Sequence, residues 1–103
     1  MNLARAVPLI AAALLLSRFA HADSPEHGRA LAENWCSSCH AVSAGQPSSG
    51  RSAPSFTEIA LSPDFSADHL AYLLLDPHPQ MAKLALSRKA IDDIAAYILS
   101  LKK

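Results

Sequence analysis

The chain has 103 residues, with nine basic and nine acidic side chains and no formal net charge. That length allows one domain and not two. The lack of a basic excess argues against nucleic acid as a partner.

The N-terminal segment reads as an export leader. Arg5 supplies a positive n-region, residues 6–17 form an apolar run, and Ala20-His21-Ala22 is an A-x-A cleavage signal. Twelve helical residues rise only about 18 Å against a hydrocarbon core of roughly 30 Å. A spanning helix and stable membrane insertion are therefore not expected. The expectation is a secretory signal peptide over residues 1–22, cut after Ala22, and one domain over 23–103. That domain would hold 81 residues, seven basic and nine acidic, for a net charge of −2. It is near the size at which a single core is marginal and a staple is needed.

Ser24-Pro25-Glu26 opens the first predicted helix with an N-cap, a proline at the first helical position and an early acid. The helix runs into Trp35 and meets the run Trp35-Cys36-Ser37-Ser38-Cys39-His40, which holds both cysteines of the chain. A disulfide framework would pair distant cysteines, because closing a longer loop removes more unfolded-state entropy. C-x-x-C-H is instead the attachment signature of c-type haem. Two thiols three positions apart on a helical turn can each add to one haem vinyl group. The imidazole that follows is then placed under the iron as its proximal ligand. A thioredoxin-like motif would need a strand before Cys36, and no alternating apolar pattern precedes it. A four-ligand zinc site would need further paired ligands, whereas His27, His69 and His78 are scattered singly.

Residues 43–54, rich in Gly, Pro and Ser, read as a loop. Ser55-Phe56-Thr57-Glu58 is a capping box that opens a short helix stopped near Pro63. Ser66 caps a third helix, with Leu70, Leu73 and Leu74 on one face, ended by Asp76-Pro77. Met81 follows in a segment stiffened by Pro77 and Pro79, and it is the sole methionine outside the leader. It stands far enough past His40 for the chain to travel around a haem and reach the opposite face. Filling a core gap is the ordinary fate of a methionine. His78 is a rival ligand, and bis-histidine ligation would lower the potential relative to Met/His.

The last predicted helix follows Ser87. Ile91, Ile94, Ile98 and Leu101 recur at three- and four-residue steps, with Ala90 and Tyr97 widening the stripe. Lys102 and Lys103 suit its negative end, whereas Arg88 and Lys89 oppose the dipole at its start, so local stability does not account for them. No strand pattern or repeat is present. The fold class is all-α. Trp35 reads as a core or haem-edge contact, and Phe56, Tyr72 and Leu75 as pocket lining. His27, His69 and the Asp92-Asp93 pair read as solvated helix positions. No nucleophile with an adjacent base and no phosphate-cradling glycine loop is present.

Over essentially all of residues 23–103 these features resemble a small bacterial class I cytochrome c. The resemblance implies four to five short helices wrapped around one covalently bound haem c. It implies that Gly28, eight residues before Cys36, lets the first helix approach the last beside Tyr97. It also implies that the carbonyl of Pro54 accepts the Nδ1–H of His40, and that Met81 is the second axial ligand. The cofactor-binding set is then Cys36, Cys39, His40, Pro54 and Met81. One departure is Ala82, where many relatives follow the methionine with proline.

An iron with both axial positions filled by side chains exchanges an electron with little rearrangement and does not readily take a substrate. The expected function is a soluble, monomeric, periplasmic one-electron carrier and not an enzyme. It would run between a donor dehydrogenase or membrane complex and an acceptor oxidase or reductase. Three alternatives share the motif: a gas-binding or sensor module with a labile Met81, a haem peroxidase, and a haem subunit of a larger oxidoreductase complex. The peroxidase is disfavoured by the missing acid–base constellation. Lys83, Arg88 and Lys89, with Arg51, are expected to form a basic rim steering redox protein partners.

Overall fold

The computed structural model describes residues 22–47, 50–75 and 84–102. Among them are four helices, α1 (Pro25–Trp35), α2 (Phe56–Leu61), α3 (Ala67–Leu75) and α4 (Arg88–Ser100), and no strand. The all-α class predicted from the sequence is the observed one.

The helix starts are set locally. The hydroxyls of Ser24, Ser55 and Ser87 accept the backbone N–H of His27, Glu58 and Ala90, and Ser66 accepts that of His69. Each cap satisfies a donor that has no partner inside its own helix. Glu58 returns a carboxylate to the Ser55 N–H at 2.9 Å, completing the capping box. α2 ends at Leu61, just before the residue preceding Pro63, where the helical region is disfavoured.

α4 is the axis of the fold, and α1, α2 and α3 all pack against it. Its apolar stripe buries Ile91, Ile94, Ala95 and Ile98. The α1–α4 crossing is the closest. A Cβ added at Gly28 would lie 1.9 Å from the carbonyl oxygen of Asp93 and 2.8 Å from the Ile94 nitrogen. Only a residue without a side chain lets the two backbones meet there. Tyr97 lies one turn further along α4. Its buried hydroxyl donates to the carbonyl of Val42 at 2.6 Å, tying the last helix to the segment that leaves the C-x-x-C-H run.

Three expectations about charge are corrected by this packing. Asp93 is not solvated but buried. Its carboxylate accepts from the Ser24 N–H at 2.8 Å, from His27 Nδ1 at 2.6 Å and from Lys89 Nζ at 2.8 Å. Burial pushes its pKa up, but the hydrogen bonds from Lys89, Ser24 and His27 outweigh that and hold it at about 2. The covering partner is α1, which the periodicity of α4 alone does not reveal. His27, although half exposed, is likewise tied down and not free in solvent. Arg88 and Lys89 do have local partners. Arg88 donates to Asp92 at 2.8 Å and to Asp68 on α3 at 2.6 Å, while Lys89 reaches Asp93 and the Ala22 carbonyl. These carboxylates lift the pKa of both cations and offset the unfavourable helix dipole.

Candidate haem site

The side of α4 turned away from α1 faces a cavity of about 660 Å³, within the range that holds small-molecule and cofactor ligands. Phe56 and Ile59 of α2, Leu70, Leu73 and Leu74 of α3, and Ile94 and Ile98 of α4 supply apolar walls. The remaining wall is the C-x-x-C-H run. Cys36 caps α1 through its N–H to Ala32 at 2.9 Å, and the His40 N–H returns to the Cys36 carbonyl at 2.9 Å. The run is therefore one further helical turn, with Cys36, Cys39 and His40 all on the cavity.

Cys36 is partly buried and Cys39 is exposed, and both are free thiols. Burial pushes the Cys36 pKa up to about 11. At neutral pH Cys36 therefore stays a thiol.

The ring of His40 is held from two directions. Its Nδ1–H donates to the Pro54 carbonyl at 2.5 Å, and its centroid lies 5.3 Å from that of Phe56. The hydrogen bond fixes the tautomer and leaves the Nε2 lone pair for a metal. Pro54 is positioned by the loop before it. The Ala53 N–H bonds the Cys39 carbonyl at 3.2 Å and the Phe56 N–H bonds that of Ala41 at 2.9 Å. Arg51 Nη1 donates to the Ser37 carbonyl at 2.5 Å, which engages this cation with the motif backbone.

A haem offers a flat apolar macrocycle, two vinyl groups that take thiols, and an iron that takes imidazole. Two thiols and an imidazole with a free Nε2, set on one wall of an apolar cavity, fit those requirements. Among the described residues no three His, Cys, Asp or Glu side chains converge to hold a bare metal ion.

Of the residues singled out from sequence, Cys36, Cys39, His40 and Pro54 are brought together. Met81, His78 and Lys83 lie outside the described residues, as do residues 1–21 of the expected leader. Leu84 and Leu86, just beyond them, line the cavity. Phe56 is buried against His40, as a pocket residue should be. Trp35 is 57% exposed and lines the cavity, so it is not a core residue. Tyr72 and Leu75 are corrected: at 65% and 75% exposed they belong to the outer face of α3, off the Leu70, Leu73 and Leu74 stripe. His69, read as merely solvated, also lines the cavity. Its position one turn before Leu73 was the available signal.

Comparison with known proteins identifies the family. A family profile described as "Cytochrome C oxidase, cbb3-type, subunit III" matches residues 23–98. Cytochrome c-552 of Bradyrhizobium diazoefficiens is 47% identical over 98 residues, covering 95% of this chain and 94% of that protein. No solved structure matches. With the C-x-x-C-H turn, the pinned His40 and a match across nearly the whole length, the chain belongs to the c-type cytochromes, as a small class I member.

Proposed function

We propose that this cytochrome is a periplasmic mono-haem electron carrier that shuttles between a donor dehydrogenase or membrane complex and an acceptor oxidase or reductase. The haem, when bound, supplies a one-electron couple at its iron. The chain supplies everything else. Cys36 and Cys39 anchor the macrocycle as thioethers, and His40 binds the iron through Nε2 while Pro54 holds the other ring nitrogen. Met81 completes the coordination. The walls from α2, α3 and α4 exclude water, which limits the rearrangement that accompanies a change of charge.

The observation that carries this reading is His40, held by the Pro54 carbonyl on the same cavity wall as both thiols. Its test is spectroscopic. Acid–acetone should fail to extract the haem, the mature chain should gain the mass of one haem, and both thiols should be consumed. The oxidised protein should show a weak sulfur-to-iron band at the red end of its spectrum, lost in Met81→Ala and kept in His78→Ala. Haem that extracts freely would sink the reading. Rapid carbon monoxide binding by reduced wild type would instead favour a sensor.

The matched profile's own description favours a second reading, a haem subunit of a larger oxidoreductase complex. Native size separates the two. A carrier elutes from detergent-free periplasm as a monomer, and a subunit co-purifies with its complex.

A further inference from the structure

Two imidazoles line the cavity, and the function proposed above uses only one. His40 and His69 share that space and share a hydrogen-bonding arrangement. His40 Nδ1 donates to the carbonyl of Pro54 at 2.5 Å, and His69 Nδ1 to that of Asp64 at 3.1 Å. A metal-ligating histidine characteristically gives its second ring nitrogen to a carbonyl or carboxylate in this way, which fixes the tautomer with the Nε2 lone pair free. Among the described residues nothing hydrogen-bonds His69 Nε2. His27 has the same kind of partner, its Nδ1 being held by the buried carboxylate of Asp93, but it lies off the cavity.

His69 is exposed at the start of a short helix. It sits in the first turn of α3, where the Ser66 hydroxyl accepts its backbone N–H at 3.0 Å. α3 packs on α4 and on neither of the other helices. Bringing the ring further into the cavity requires a shift of α3, which buries Leu70, Ala71 and Leu74, while the α1–α4 seam lies elsewhere on α4.

We propose that His69 is a reserve iron ligand, which takes the sixth position through Nε2 whenever Met81 does not hold it. The proposal rests on the haem reading above. The exchange balances simply: one neutral ligand leaves the iron and the imidazole donates its lone pair, with no electron transferred. Bis-imidazole ligation lowers the potential relative to Met/His, so the exchange would retune the carrier and keep the iron closed to diatomic gases.

The test compares holoproteins by visible absorption, electron paramagnetic resonance and carbon monoxide binding. Met81→Ala should remain low-spin with a bis-imidazole signature and bind carbon monoxide slowly once reduced. Met81→Ala combined with His69→Ala should lose the low-spin signal and bind the gas rapidly, whereas Met81→Ala combined with His78→Ala should stay low-spin. A high-spin Met81→Ala single variant, or a low-spin signal that survives the loss of His69, overturns the proposal. If wild type itself lacks the sulfur-to-iron band, the assignment of Met81 fails separately. His69→Ala alone then decides, since persistence of the low-spin state refutes a role for His69. Thermal melts of each variant separate loss of a ligand from loss of fold.

Discussion

On one side of α4, the backbone of α1 lies so near that a methyl group at Gly28 would overlap the Asp93 carbonyl. The polar groups trapped there are all paired, through Ser24, His27, Lys89 and Asp93. On the other side, α2, α3 and the C-x-x-C-H turn stand around a cavity of about 660 Å³ with apolar walls. The first seam is complete with protein atoms alone, and the second exposes apolar surface that no part of the described chain covers. So short a chain has little to spare for closing both sides. A haem bound in the cavity would supply half of the core, and its removal should be felt as the loss of a core and not of a ligand.

The strongest way to break this contrast is to withhold the haem. Replacing Cys36 and Cys39 by Ala should abolish covalent attachment and, with it, the cooperative thermal transition followed by circular dichroism. Residual helix should persist without a sharp melt. A native-like melt of the haem-free chain would show that the α1–α4 seam suffices.

The seam can be attacked directly. Gly28→Val must push α1 off α4, and overpacking of this kind costs about 1–3 kcal/mol. Denaturant unfolding of the holoprotein measures it. A change of only tenths would mean that the helices part easily.

The buried carboxylate makes the same seam sensitive to acid. Asp93 titrates at about 2 when folded, below the ordinary value of 3.8. The unfolded chain therefore binds the proton first, and the stability Asp93 contributes is complete above about pH 4 and lost as pH falls toward 2. Its size is on the order of 1–2 kcal/mol. Asp93→Asn should lower stability at neutral pH and flatten the dependence across that acid window.

A smaller effect links the two sides. Tyr97→Phe removes the hydroxyl bound to the Val42 carbonyl and leaves a buried acceptor unpaired, which costs about 1 kcal/mol in a melt. The carbonyl of Val42 lies two residues past His40, so the same variant should also broaden the haem absorption bands slightly.

The smallest expected effect is at the partner surface. Charge reversal at Lys83, Arg88 and Lys89 should slow electron transfer to an acidic redox partner at low ionic strength, and the difference should vanish in high salt. Because Asp68, Asp92 and Asp93 already share Arg88 and Lys89, reversal at those two should slow transfer less than their formal charge suggests. Equal rates for wild type and the triple variant at low salt would leave docking to apolar contacts.

Much of the fold was legible because its signals are local. The caps at Ser24, Ser55, Ser66 and Ser87 act within three residues of themselves, so reading the chain in order recovers each helix start. The C-x-x-C-H run carries its chemistry in its spacing, since one helical turn presents two thiols and an imidazole together. The Leu70, Leu73 and Leu74 stripe and the isoleucines of α4 follow from the 3.6-residue period. That same period puts Tyr72 and Leu75 off the stripe, so the reading of both as pocket lining went against the pattern of their own helix.

What the sequence by itself determined, then, was the set of helices, the C-x-x-C-H run and the family to which the chain belongs. Only the tertiary structure decided which polar residues are buried and with whom they pair. Asp93 looks like any helix-surface acid until α1 is laid across it, and Arg88 and Lys89 look misplaced until the carboxylates of Asp68, Asp92 and Asp93 stand beside them. His69 is exposed, as its sequence suggests, and only α3 shows that it also borders the cavity. Burial and ion pairing depend on what a second element brings within a few ångströms. No periodicity within one helix encodes the position of its neighbour.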